Sequence, residues 1–189
     1  SCTWKLYPAK PTIYLTFDDG PHPKATPFVL QQLQHYNAKA TFFCIGKNVA
    51  AHPDIYQEIF IHEHAIGNHT YDHLNGWKTN TRTYIENILE AGKYITSGLF
   101  RPPYGKITPF QVKNLQAKIP GIRIIMWDVL SGDFDTELSP QDCLQHVLFK
   151  AESGSIIVFH DSEKAWDRLE YTLPRVLEHF SKKGFDIKA

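Results

Sequence analysis

One methionine and three cysteines are all the sulfur that the 189 residues carry. Cys2, Cys44 and Cys143 are too few and too scattered for a disulfide framework or a cysteine-based zinc site. Cys44 lies in the apolar run Ala40-Thr41-Phe42-Phe43-Cys44-Ile45, which predicts a buried thiol; a Cys2–Cys143 bridge is left open. Net charge is also absent, since twenty Lys+Arg balance twenty Asp+Glu. That balance argues against a nucleic-acid partner. With 42% hydrophobic and 13% aromatic residues, it argues against disorder as well. No uncharged apolar stretch approaches the roughly 18 residues of a transmembrane helix. The start, Ser1-Cys2-Thr3-Trp4-Lys5, shows no signal peptide. Eleven Gly and twelve Pro follow no period, which excludes a collagen-like chain. What is abundant is histidine, with ten residues. Their positions decide whether they are surface or site.

No linker, repeat or low-complexity segment interrupts the chain, so residues 1–189 are expected to form a single domain. Short apolar runs alternate with longer amphipathic ones. Strands are predicted at Thr12–Phe17, Ala40–Ile45, Ala65–Asn68, Leu99–Arg101, Arg123–Trp127, Ser155–Phe159 and Phe185–Ile187. Helices are predicted at Ala25–Tyr36, Pro53–His62, Thr81–Ser97, Pro109–Lys118, Pro140–Ala151 and Asp167–Lys182. Ser139-Pro140, Thr108-Pro109 and Thr26-Pro27 read as helix starts, with a capping hydroxyl before a proline. This alternation implies an α/β fold on a mostly parallel sheet. The chain is too short for an ordinary eight-unit barrel of about 250 residues. A reduced barrel or an open doubly wound sheet remains, with function at the carboxyl ends of the strands in either case.

Five polar places sit at those ends. Asp18 and Asp19 close the first long strand before Gly20-Pro21. An Asp-Asp-Gly tripeptide alone reads more readily as a polar turn, but the strand break could turn both carboxylates to one site. His69 and His73 are four residues apart and would share a face if helical, a spacing suited to a metal with a carboxylate as third ligand. Arg101-Pro102-Pro103-Tyr104 stiffens a loop in which the next free N–H is that of Tyr104, a candidate oxyanion donor. An arginine salt bridge is the blander reading there. Trp127 to Phe134 and Ile156 to Asp161 end two more strands in polar groups, with His160 at the tip of an apolar run.

Together these residues resemble the polysaccharide deacetylase family, the NodB-homology domain of carbohydrate esterase family 4. Thr-Phe-Asp-Asp-Gly, His-Thr-x-x-His and Arg-x-Pro-Tyr occur in the family's order. The resemblance implies a distorted, reduced (β/α) barrel with about seven strands. It implies hydrolysis of N-acetyl groups on a polysaccharide or oligosaccharide, chitin-like or peptidoglycan. Asp19, His69 and His73 would hold one divalent metal, zinc first, with cobalt or nickel as alternatives. Asp18 would be the general base, supported by Arg101. The Tyr104 N–H would stabilise the oxyanion. His160 would be the general acid, oriented by Asp133. Pro103, Trp127, Phe134 and Val158 would line the substrate site. The family also implies an extracytoplasmic enzyme, expected here as a monomer.

Two departures bear on substrate choice. Leu130 stands where the family has an Asp, with Phe134 in place of a Trp, and Val158 replaces a Leu. Deacetylation of an O-acetyl ester such as acetylated xylan, or an inactive sugar-binding module, are the alternative readings. His22 reads as a turn residue, and His62 and His64 as a solvated helix end. Trp77 and Trp166 lie in loops where either could touch sugar.

Overall fold

The computed structural model describes residues 2–189. The strands are β1 (Cys2–Thr3), β2 (Thr12–Asp18), β3 (Thr41–Cys44), β4 (Ala65–Asn68), β5 (Leu99–Phe100), β6 (Arg123–Ile125), β7 (Val129–Leu130), β8 (Ile156–His160) and β9 (Asp186–Lys188). The helices are α1 (Ala25–His35), α2 (Gly46–Ala51), α3 (Pro53–Ile61), α4 (Thr81–Ala91), α5 (Pro109–Lys118), α6 (Pro140–Lys150) and α7 (Trp166–Lys182). The strands pair in the order β1-β6-β5-β4-β3-β2-β8-β7, and β9 pairs with the first half of β2. Every strand ladder among the described residues is parallel. Only three residues separate β6 from β7, so one stretch of chain pairs with β5 at its start and β8 at its end. This stretch spans the gap between the two sides of the curled sheet, which gives the distorted (β/α) barrel without a closing ladder among the described residues.

Alternation along each strand sorts side chains into two sets. On β2, Ile13, Leu15 and Phe17 face the helices, and Phe17 stacks between Phe42 and Phe159. Burying such a ring stabilises by roughly 1.5–3 kcal/mol. Thr16 and Asp18 therefore point into the barrel. The same rule turns Val158 and His160 inward from β8. The outer layer is fixed by α7, whose buried Leu169, Leu173, Val176, Leu177 and Phe180 repeat at helical spacing. A smaller cluster around Tyr84, Ile88, Phe100 and Ile124 packs α4 and α5 on the opposite side.

Several expectations are corrected. The fold has nine described strands rather than about seven, because Arg123–Trp127 stops at Ile125 and resumes as β7, and because Cys2–Thr3 pairs with β6. The helix expected to reach Ser97 ends at Ala91, where Gly92 follows. Ser97 instead donates its hydroxyl to the Ile66 carbonyl. Thr26 lies inside α1 rather than capping it. Thr108 and Ser139 do cap α5 and α6, Thr108 in a full capping box. All three cysteines are free, and Cys143 is buried, so Cys2 and Cys143 are not bridged.

Candidate active site

Parallel register places the first two groups. Asp18 on β2 is directly opposite His160 on β8. The buried Asp18 is held from below by Arg101, whose side chain has no exposure. Arg101 Nη1 donates to Asp18 Oδ1 at 2.8 Å and to Thr16 Oγ1 at 2.6 Å. Its Nε and Nη2 donate to the carbonyls of Ile125 and Met126. All three guanidinium nitrogens thus donate, which fixes the group that holds the carboxylate.

Asp19 would point away from the barrel if β2 continued. Its φ is 83°, which breaks the alternation and returns the carboxylate to the Asp18 side. His69 and His73 meet it there, although not as a helical pair. The segment after β4 is a loop, with Thr70 at φ 64° and His73 at φ 59°. These two turns bring the rings within 5.0 Å of each other. Asp19 Oδ1 lies 3.5 Å from His69 Nε2 and 3.2 Å from His73 Nε2. Even so, no aligned hydrogen bond reaches this buried oxygen. Burial opposes a charge on Asp19, but His69, His73 and the charge of His160 outweigh it and hold the carboxyl well below its usual range. His69 Nδ1 donates to the Arg101 carbonyl at 2.8 Å, which fixes the ring and leaves Nε2 as the nitrogen on the Asp19 side. One carboxylate oxygen and two imidazole nitrogens within 4.8 Å of one another, with the oxygen otherwise orphaned, fit a divalent cation.

His160 is the mirror of that arrangement. Its ring Nδ1 donates to Asp133 Oδ1 at 2.7 Å, and its backbone N–H donates to Asp133 Oδ2, also at 2.7 Å. Burial disfavours the imidazolium, but Asp133, with Asp19 and Asp18 behind it, overcomes that and raises the His160 pKa to about 9. Tyr104 is an unusual residue at φ 60°. The two turn hydrogen bonds around it run from Gly105 and Lys106, so neither uses the Tyr104 N–H. Asp18, Asp19, His69, His73, Tyr104 and His160 share a cavity of about 400 Å³, walled by Trp127, Leu130, Phe134 and Val158 with Lys164 at its rim. Phe134 meets His160 edge-on at 5.4 Å.

Pro103, expected in the substrate wall, is buried and does not line the cavity. Arg101 and Asp133 lie behind it. Trp77 and Trp166 are outside it as well; Trp77 stacks under Lys106 and Trp166 under Lys24. His64 is buried rather than solvated, and accepts the Ala40 N–H. His22 caps the start of α1, accepting from the Lys24 and Ala25 N–H groups. Asp128 sits at the foot of β8, bonded to Ser155 and Ile156.

Sequence reasoning missed four supporting groups. Thr16 was findable, being two residues before Asp18 on the same strand face. Asp161 follows His160 directly and is fully buried, accepting from the Gly20 N–H and the Thr26 hydroxyl; burial pushes its pKa up to about 8. Asn48 on α2 donates to the Asp19 carbonyl. Arg168 on α7 donates Nε to the Asp133 carbonyl at 2.7 Å. The last two had no local signal.

A curled parallel sheet that gathers Asp18, His160 and the Asp19-His69-His73 set at the carboxyl ends of its strands puts them where (β/α)-barrel enzymes carry their active sites. Residues 5–118 match the polysaccharide deacetylase family, and the chain belongs to it. It is 32% identical to a peptidoglycan-N-acetylglucosamine deacetylase of Bacillus cereus, over 97% of this chain and 88% of that protein. It is 37% identical to a chitooligosaccharide deacetylase of Azorhizobium caulinodans, over 79% of this chain and 73% of that one. Among solved structures it resembles a peptidoglycan N-acetylglucosamine deacetylase with a TM-score of 0.86 at 29% identity, covering 99% of this chain and 89% of the other. A family 4 carbohydrate esterase from Streptomyces lividans superimposes with a TM-score of 0.82 at 27% identity, covering 94% and 91%. No helix among the described residues is long and apolar enough to cross a membrane.

Proposed function

We propose that this chain hydrolyses N-acetyl groups on an amino-sugar polymer or oligomer in a metal-dependent reaction, with residues 1–189 acting as one catalytic domain and as a monomer outside the cytoplasm. The observation that carries this reading is the opening of Asp18, Asp19, His69, His73 and His160 into one cavity. The substrate class follows from the relatives, which are named for deacetylating peptidoglycan N-acetylglucosamine and chitooligosaccharides.

Asp19, His69 and His73 would hold the cation, zinc first, with cobalt or nickel as alternatives. A divalent ion there would supply Lewis acidity, lowering the pKa of water to about 7 and polarising the acetyl carbonyl. Asp18, fixed by Arg101 at 2.8 Å, takes the proton from the attacking water. The Tyr104 N–H, held in a stiff turn, donates to the oxygen that gains charge at the carbonyl carbon. His160 carries a proton held by Asp133 and delivers it to the nitrogen as the C–N bond breaks. The products are acetate and a free amine. Trp127, Leu130, Phe134 and Val158 receive the acetyl methyl and the apolar face of the sugar.

Acetate release from N-acetylglucosamine oligomers and from peptidoglycan, with and without chelator and beside acetylated xylan, tests this. Release from the first two, abolished by chelator and by Asp18→Asn, is expected. Chelator-insensitive release or full activity in Asp18→Asn sinks the mechanism, and release from xylan alone replaces amide by ester hydrolysis.

A further inference from the structure

Residue 19 stands at a position where strand alternation would put its carboxylate on the outer face with Phe17. Only its left-handed backbone, φ 83°, turns it back toward His69 and His73. Aspartate tolerates that conformation better than most residues but does not prefer it. Something must hold it, and both flanking peptide units are tied. On the carbonyl side, Asn48 Nδ2 donates to the Asp19 oxygen at 2.7 Å. On the same unit, Asp161 Oδ1 accepts the Gly20 N–H at 3.1 Å; on the preceding unit, the Asp161 backbone N–H donates to the Asp18 carbonyl at 3.1 Å and the Asp19 N–H donates to the Phe43 carbonyl at 3.2 Å. Asp161 is itself fixed by the Thr26 hydroxyl at 2.6 Å. Its carboxyl fills the space a side chain on Gly20 would need, since a Cβ there would lie 2.1 Å from Asp161 Oδ2. The Gly20 carbonyl is taken by the Ile45 N–H at the head of α2, the helix that carries Asn48. The next amides, of Gly46 and Lys47, donate to the Thr70 and Tyr71 carbonyls in the loop that bears His69 and His73. One short helix thus ties both loops together.

We propose that Asn48 and Asp161 are positioning residues that lock the Asp19 backbone in its left-handed form, so that its carboxylate is aimed at His69 and His73 before any ion arrives. The inference rests on the reading of Asp19 as a metal ligand. Neither residue touches the cavity, so neither is a catalytic group. Their effect passes through the aim of one carboxylate, and preorganisation of this kind is felt as affinity.

The test measures zinc affinity of the metal-free protein by chelator competition, and the visible spectrum of its cobalt(II) form, for wild type, Asp19→Ala, Asn48→Ala and Asp161→Ala. Asn48→Ala and Asp161→Ala are each expected to weaken zinc binding about 10- to 100-fold, the usual effect of losing a group that orients a ligand. Each should also alter the cobalt bands, because the carboxylate no longer meets the ion in the same geometry. Asp19→Ala should weaken zinc binding at least as much. Wild-type affinity in Asn48→Ala or in Asp161→Ala overturns the assignment of that residue. Weaker affinity with an unchanged cobalt spectrum overturns it too, since that marks a general loosening. If Asp19→Ala binds zinc as wild type does, the ligand reading is what fails. Should Asp161→Ala not fold, Asn48→Ala, which removes a half-buried amide, decides alone.

Discussion

Asp133 grips His160 at two points, accepting the ring Nδ1–H with one oxygen and the backbone N–H with the other, each at 2.7 Å. The double contact fixes both the tautomer and the direction of the ring, so Nε2 faces the cavity. It also raises the pKa against the opposing effect of burial. The folded value, about 9, exceeds the ordinary 6.5. The charged pair therefore stabilises the fold fully below about pH 6.5 and ceases to do so as pH rises through 9.

Asp133→Asn is expected to lower the His160 pKa and so move the alkaline limb of kcat to lower pH. In the wild type that limb should lie at or below about 9, because a cation held by Asp19 would offset the charge with which Asp19 raises the His160 pKa. The kcat at neutral pH should fall roughly 10²-fold or more, the scale of a lost proton donor. A pH–rate profile of both proteins checks this. An alkaline limb that stays in place would show that Asp133 does not tune His160.

Arg101 does two jobs with different atoms. Its guanidinium holds Asp18, and its carbonyl holds His69. Arg101→Lys keeps the charge and the carbonyl but loses the fork that also reaches Thr16, Ile125 and Met126. The expected result is destabilisation of about 3–5 kcal/mol, the scale for disrupting a buried pair, with zinc affinity largely kept. Urea unfolding and metal titration on the same variant separate the two jobs. Equal loss of both would mean that the His69 loop moves with the guanidinium.

The strands that carry this site were legible because buried parallel strands are short, apolar and β-branched or aromatic, as in Thr12–Asp18 and Ile156–His160. The site residues were legible because they end those strands. What sequence could not show was backbone direction. His69 and His73 looked like neighbours on a helix, yet they meet through left-handed turns at Thr70 and His73. The four-residue spacing was right for a reason the periodicity did not contain. Asn48 lies on a helix of only six residues, too short for a 3.6-residue pattern to register. His64 was misread because the strand beside it, not its own segment, buries it. Leu130, noted only for the Asp it replaces, turned out to wall the cavity.

Gly105 sits at φ 67°, and a Cβ there would lie 2.8 Å from Trp127 Cη2. Gly105→Ala must therefore both strain the backbone and push the indole that walls the cavity. The backbone effect alone should cost about 1–2 kcal/mol. If Trp127 contacts the sugar, KM rises severalfold while kcat changes less, since Trp127 is not among the proton-transfer groups. Steady-state kinetics on a chitin-type oligomer, with Trp127→Ala in parallel, gives the answer. An unchanged KM in both variants removes Trp127 from the substrate wall.

His64 offers a prediction outside the site. Its Nδ1 accepts the Ala40 N–H at 3.2 Å, so the folded protein needs this ring neutral. Burial, aided by the charges of Lys39 and His62, lowers its pKa from 6.5 to about 4. Since the folded value is below the unfolded one, its contribution is intact above about pH 6.5, declines as pH falls, and is lost by about 4. His64→Asn keeps an acceptor for Ala40 but has no proton to gain. The variant should lose less stability than the wild type between pH 6.5 and 4, as read from urea unfolding of the metal-free proteins at intervals across that window. Every other side chain is common to the two proteins, so the difference between the two curves isolates His64. Parallel curves would mean that the ring turns to water on protonation, and that the β3–β4 junction opens more easily than its burial suggests.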